Sequence, residues 1–212
     1  MLFASRRYKK ILTERLCKAF PAEYREDVIT VAEQLPAPVF SWRSPSAYKQ
    51  WLADVVTCWT LPSGERVEIP YRIEPMSMAA QAEKTLTDTQ RLIYHCILSR
   101  SCDGYARQRH LEVLLVTETP EWVIPFVVQL SQEYVAEIIE VIYTALQERD
   151  NEGYRAFCRL NYTTFHKGYD RMLSYWAEYY RWYDRRTQTY CKTRYRDYVG
   201  WKLYAEVFGC KK

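Results

Sequence analysis

Glycine is scarce in this chain, with only six among 212 residues. A nucleotide-cradling loop is therefore hard to place anywhere, and no phosphate-binding glycine loop or dinucleotide fingerprint occurs. A paired-histidine zinc motif and a nucleophile elbow are absent as well. Histidine itself is scarce, with three residues. No apolar run reaches the 18 residues expected of a membrane-spanning helix. The longest candidate, 122–146, holds three glutamates. Met1–Ala4 is followed by Arg6, Arg7, Lys9 and Lys10, with no signal-peptide core behind them. The seven cysteines are odd in number and form no spacing framework, which favours reduced thiols over a disulfide scaffold. These absences point to a cytoplasmic chain with no membrane span, no cofactor and no resident metal. The sequon at Asn161–Thr163 carries no weight in such a chain.

Aromatic residues are abundant, with 19 Tyr and 7 Trp. Such side chains bury large areas while keeping a polar tip, so they suit cores and binding surfaces alike. Charge is unevenly spread along the chain. Residues 1–50 carry nine Lys/Arg against five Asp/Glu, and residues 171–212 carry ten against four. Residues 51–170 carry eleven against seventeen. Basic ends around an acidic middle either bind an anionic partner or pack on that middle and cancel it; the second reading is favoured.

Periodicity indicates a mostly α fold, either an irregular multi-helix bundle or a short α-solenoid-like stack, with one β-hairpin at about residues 56–73. The expected organisation is a single helical domain over 1–212, with 1–75 as a candidate N-terminal subdomain. Helices are expected over 5–20 and 22–34. Three Pro and three Ser make 36–46 a loop, and Ser46 can cap a short helix over 47–54. Val67, Ile69, Tyr71 and Ile73 alternate with polar residues and Pro70 as a half-buried strand does. Pro62, Ser63 and Gly64 supply the turn before it, and Pro70 marks an edge. Residues 75–82 read as a connector. Thr87 or Asp88 caps the next helix, Ser101–Gly104 interrupts it, and a second helix comes after the interruption.

The densest apolar stretch is Pro120–Leu146. Thr119, Pro120 and Glu121 form a helix start. On one helix, Val127, Leu130, Ile138 and Ile142 share a side that covers about half the circumference, which implies a central helix. Gln129, Glu133, Glu137 and Glu140 fall opposite. Near the C-terminus, Tyr169, Met172, Leu173, Trp176, Tyr179, Tyr180 and Tyr183 make one face of a helix over 168–186. Arg171, Tyr175, Glu178, Trp182 and Arg186 lie opposite. A last helix is expected around 192–208, interrupted by Gly200.

Asp103, Ala106 and Arg107 open the second helix of a short helical pair. This pattern resembles the HEAT-type helical repeats, over about residues 87–147. The resemblance implies a stacked-helix scaffold presenting a binding surface.

Three constellations can carry chemistry. His95, Cys96, Cys102 and His110 offer soft ligands, but their spacing fits no zinc finger, and Cys96 falls on the apolar face of its helix. Glu133, Glu137 and Glu140 form a candidate acidic face; clustered carboxylates can bind cations or move protons, against the simpler reading of a solvated helix face. Arg171, Tyr175, Trp182, Arg185 and Arg186 form a candidate binding stripe, continued by Lys192, Arg194 and Arg196. Interleaved aromatic and basic residues stack bases and neutralise phosphates, and they also make protein hot spots. The simpler reading is a packed helix layer. The leading expectation is a protein–protein interaction or scaffold protein, with self-association included. The alternative is a nucleic-acid-binding protein using the C-terminal stripe. An enzyme with a carboxylate site ranks third.

Overall fold

The computed structural model describes residues 2–36, 55–73, 78, 83–116, 120–184 and 187–210. The expected helix over 47–54, most of the 36–46 loop and 75–82 connector, the Thr119 cap, and Arg185 and Arg186 of the candidate stripe lie outside the described residues. Among the described residues the fold is mostly helical with one two-stranded antiparallel hairpin. Among the described residues, no helix is long and apolar enough to cross a membrane. The chain divides into two compact units, Met1–Leu114 and Leu115–Lys212.

In the first unit, α1 (Leu2–Cys17) packs on α2 (Arg25–Gln34), and a single 3-10 turn, Ala22–Tyr24, links them after Pro21. Leu12, Leu16, Phe20, Val28, Val31 and Leu35 close this layer. Strands β1 (Val56–Thr60) and β2 (Arg66–Pro70) pair so that Trp59 faces Val67 across the ladder. Gly64 at φ +87° turns the hairpin, a conformation that suits a residue without a Cβ. Val67 and Ile69 are buried and Arg66 is exposed, as the alternation requires. Two strands alone are marginal, and the helical layer supports them. The Glu68 amide donates to the Lys18 carbonyl at 2.7 Å, and the Ala22 amide donates to Glu65 Oε1 at 2.7 Å. The ladder ends at Pro70, and Ile73 beyond it bridges to Ser101 instead.

Helix α3 (Asp88–Leu98) opens on Thr87, whose hydroxyl accepts from the Gln90 amide while Gln90 Oε1 accepts from the Thr87 amide. This reciprocal cap satisfies two donors left over at the helix start. Gln90 Nε2 also donates to Asp27 Oδ1 at 2.8 Å, joining α3 to α2. Helix α4 (Gly104–Val116) comes after a short turn. Asp103 Oδ1 accepts from the Tyr105 amide, Ala106 is buried, and the buried Arg107 donates to the carbonyls of Ser101 and Cys102. Arg100, only 1% exposed, donates to the carbonyls of Pro70 and Tyr71 and so joins the hairpin to the α3 terminus.

In the second unit, the 3-10 turn Glu121–Val123 leads into α5 (Ile124–Leu130), with Pro125 inside its first turn, where a missing amide leaves no ladder bond unmade. The expected central helix does not run through. The chain leaves α5 at Ser131, turns, and restarts as α6 (Ala136–Leu146). The Ser131 hydroxyl bonds back to the Val128 carbonyl at 2.7 Å and meets the Tyr204 hydroxyl at 3.0 Å, so the break is held by side-chain bonds that compete with the helical ladder. Both helices are nonetheless apolar enough to serve the core, through Val127, Leu130, Ile138 and Ile142. Gln129, expected on the polar side, is buried with them.

Helix α7 (Glu152–Leu160) stacks Tyr154 on Phe208, and α8 (Tyr162–Tyr175) brings rings against Tyr204. Phe165 stacks on it at 5.1 Å, while Tyr169 and Phe208 meet it edge-on at 5.3 and 5.4 Å. The end of α8 widens into a π-turn, Trp176–Tyr180, closed by the Arg181 amide on the Trp176 carbonyl. Gly200 does not interrupt the last helix. It lies within α9 (Val199–Lys202), which continues as a second π-turn, Leu203–Val207. A Cβ at Gly200 would fall 2.4 Å from the Tyr198 ring and 2.7 Å from Met172 Sδ, so its smallness permits close packing there. Gly168 is tighter still, with a Cβ position 2.2 Å from Gln132 Cδ.

Candidate functional site

The C-terminal aromatic segment of the second unit grows out of α8. Tyr169 and Met172 are buried, Leu173, Trp176, Tyr180 and Tyr183 are half-buried, and Arg171, Glu178 and Trp182 are exposed, in keeping with the two expected faces. Tyr179 departs from them and is exposed. It falls in the π-turn, where the extra residue per turn breaks the 100° spacing on which the facing was read.

Tyr180 links the start of α6 to Thr193 and Tyr198. Its hydroxyl donates to the Tyr134 carbonyl at 2.5 Å and accepts from the Ala136 amide at 3.3 Å. That amide is one of the donors an α-helix start leaves unsatisfied. The Tyr180 ring stacks on Tyr198 at 5.3 Å, and its carbonyl accepts from the Thr193 hydroxyl at 2.8 Å. The chain beyond Trp182 then doubles back, with Asp184 and Thr189 exchanging both backbone bonds and Gln188 in the left-handed region at φ 52°. Tyr195 returns to the core, packing on Trp176 at 4.9 Å and donating to the Tyr169 hydroxyl at 3.1 Å. Burial, then the Tyr169 bond, raises its phenol far above the ordinary value, so it stays neutral.

Two groups of rings face outward. Tyr134, Tyr175 and Tyr179 form a cluster with centroids 5.9 to 6.3 Å apart, and Tyr134 and Tyr179 are exposed. Trp182, 57% exposed, has the Arg181 guanidinium 5.3 Å and the Lys192 ammonium 6.0 Å from its ring centre. Tyr190 is 89% exposed and pairs with Tyr183 at 5.2 Å. Arg194 holds Asp197 at 2.8 Å, which partly neutralises it.

The structure therefore places Tyr175 in the tyrosine cluster and two cations near the Trp182 ring. Arg171 is exposed on α8, before the π-turn that separates that helix from Trp182. Beside Trp182 stand Arg181, which the expected stripe omits, and Lys192, which it includes as a continuation. The first neighbours Trp182 in sequence, and the second reaches it only through the doubled-back segment.

The candidate acidic face is not a face. Glu133 lies buried in the turn between α5 and α6, Glu137 is half-buried, and Glu140 is exposed. The break at 131–135 takes Glu133 off the helix that carries the other two. Among the described residues, no group of three or more His, Cys, Asp or Glu is placed to hold a metal ion.

The first unit does bring two of the four soft-ligand candidates together. His95 Nδ1 and His110 Nδ1 lie 2.8 Å apart, one ring donating and the other accepting, with Tyr94 edge-on to His110 at 5.5 Å. Burial, helped by Arg91, lowers the His95 pKa to about 4. Burial, His95 and Arg109 lower that of His110 to about 4. Both rings are therefore neutral near pH 7, and the 4.0 Å approach of Glu83 to His95 Nε2 is not an ion pair there. Cys96 is wholly buried and Cys102 exposed; burial pushes the Cys96 thiol well up and keeps it inert. The signal for the histidine pair is its position on two consecutive helices joined by a short turn, which sets them side by side.

The chain matches no protein-family model, and comparisons with curated proteins and with solved structures find no match.

Proposed function

We propose that this chain is a protein–protein interaction or scaffold protein whose contact surface is the outward aromatic segment of the second unit. The observation that carries the reading is Trp182, more than half exposed and with Arg181 and Lys192 near its ring. Burying a large apolar side chain is worth roughly 1.5–3 kcal/mol, so leaving it in water forgoes stability that a partner can recover. Trp, Tyr and Arg are the residue types that dominate interface energetics, and Tyr134, Tyr175 and Tyr179 add area. The paired α3 and α4, with Asp103 as cap and Arg107 on two carbonyls, support a HEAT-like unit in the scaffold. Free cysteines support a reducing, cytoplasmic location.

Affinity capture with Trp182→Ala beside the unaltered chain tests the reading. The expected result is a partner, or a second copy of the chain, retained by the unaltered protein and lost with the variant. Equal recovery by both excludes this surface.

The cations beside Trp182 favour nucleic acid as the second reading, since stacking plus phosphate neutralisation uses such an arrangement. Binding to single-stranded RNA or DNA at low salt, weakening steeply as salt rises and falling with Lys192→Ala, would establish it. No retention at low salt removes it.

A further inference from the structure

The second unit also holds a thiol and an imidazole in contact, on residues that the aromatic surface does not use. The π-turn Leu203–Val207 is capped at Phe208, and Gly209 at φ +73° takes the left-handed conformation with which a residue lacking a Cβ closes such an end. The Cys210 amide then donates to the Tyr204 carbonyl at 2.7 Å, which fixes the Cys210 backbone against the helix end. Its thiol, half-buried, lies 3.8 Å from His166 Nε2 on α8. The other ring nitrogen, His166 Nδ1, lies 3.0 Å from the Tyr162 carbonyl. A carbonyl only accepts, so Nδ1 carries the hydrogen, and Nε2 of the neutral ring presents its lone pair to the thiol. The Tyr162 ring covers the imidazole at 3.9 Å and Phe165 meets it edge-on at 5.7 Å, so its plane is held as well as its tautomer. Arg155 donates to the carbonyls of Glu206 and Val207 and passes Gly209, its Cδ 3.7 Å from where a Cβ would stand there. A nucleophile, a base within hydrogen-bond reach and a third group that orients the base make the arrangement of an activated thiol, and a neighbouring guanidinium favours thiolate. Cys158 on α7 is the contrast. It is buried, and burial first, then charge at Cys210, pushes its thiol up, so it stays protonated and inert.

We propose that Cys210 is a modification site that takes up small disulfides, with His166 as its base. As Sγ attacks one sulfur of a disulfide RS–SR, His166 Nε2 takes the thiol proton. The bond from Sγ to that sulfur forms while the RS–SR bond breaks, and the departing RS⁻ takes the proton back from Nε2. One thiol and one disulfide become a mixed disulfide and a thiol RSH, so the small disulfide is the only oxidant required, and excess RSH runs the step backward. Exchange asks of the protein only a thiolate and a proton carrier, the two groups in contact here. Acyl transfer would ask in addition for donors aimed at a developing oxyanion. The proposal stands apart from the interaction reading, since Cys210, His166 and Tyr162 belong to neither group of outward rings.

The test is timed reaction of the reduced full chain with glutathione disulfide, each mixed disulfide being located by peptide mass mapping. The exposed Cys58, Cys102 and Cys191 are the internal references. Near pH 7 Cys210 is expected to react at least about threefold faster than each of them, the gain that remains when a thiol pKa falls by about one unit and nucleophilicity falls with it. Near pH 10, above the ordinary thiol pKa of about 8.5, the references ionise too and the advantage should vanish. His166→Gln keeps a polar side chain, removes the base, and should bring Cys210 to or below the reference rates near pH 7. The buried Cys96 and Cys158 report the fold, and their continued protection shows that the variant keeps it. Should they become reactive, the pH profile of the unaltered chain decides alone. Equal rates for Cys210 and the references near pH 7, an advantage that persists near pH 10, or an unchanged Cys210 rate in a folded His166→Gln overturns the proposal.

Discussion

The two units treat the same chemistry in opposite ways. In the first unit, cationic and titratable groups are taken inside. Arg100 and Arg107 are buried against backbone carbonyls, and His95 and His110 bond to each other. In the second unit, part of the aromatic complement is turned outward, with cations over Trp182 and an open tyrosine cluster. A guanidinium bonded to carbonyls is a structural strut. A guanidinium beside an exposed indole leaves its charge in water. Residue type alone does not separate the two, but burial and hydrogen-bond partners do.

The sharpest way to break the contrast is Arg100→Ala. It removes a buried guanidinium that satisfies two carbonyls, and bonds to charged groups are worth about 1.5–3 kcal/mol each. A loss of about 3 kcal/mol is expected in chemical denaturation; a loss below about 1 kcal/mol would mean the strut is dispensable. Acid titration comes next. The histidine pKa values are lowered by folding, so the unfolded chain binds more protons between about pH 4 and 6.5. Stability should be flat above pH 6.5 and fall as the pH drops toward 4, and His110→Asn should flatten that slope. Gly168→Ala forces a methyl into Gln132 and should cost about 1–3 kcal/mol by the overpacking scale, read as a lowered melting temperature. Tyr180→Phe deletes one hydroxyl with two partners and should destabilise by about 1 kcal/mol. Smallest is Trp182→Ala, within about 0.5 kcal/mol of the unaltered chain because the ring is largely in water. A large destabilisation there would make Trp182 a core residue and dissolve the contrast.

Much of the fold is legible wherever period and turn chemistry agree. The alternation of Val67 and Ile69 marks β2, Thr87 beside Asp88 marks the start of α3, and the buried Tyr169 and Met172 mark the inner face of α8. The break at 131–135 is hidden because apolar residues on both sides keep the helical period. The polar run Ser131–Gln132–Glu133 is its only local sign, and the bond that holds it comes from Tyr204, 73 residues away. Gly200 misleads for a related reason. A glycine reads as a helix breaker, yet here it makes room for Tyr198 and Met172. At the candidate site, Trp182 and Tyr175 are legible from spacing. The Cys210–His166 pair is not, because tertiary packing alone joins two residues 44 apart in the chain.

The Tyr180 hydroxyl ties the amide of Ala136 and the carbonyl of Tyr134 to a ring in the C-terminal segment. The start of α6 is thereby tied to Tyr180 and to Tyr198, the ring on which it stacks. When the segment lifts, that amide meets water, and hydrogen exchange at Ala136 becomes a clock for detachment of a region more than forty residues away. A ligand that pins the segment would slow the clock, and a partner that peels it away would speed it.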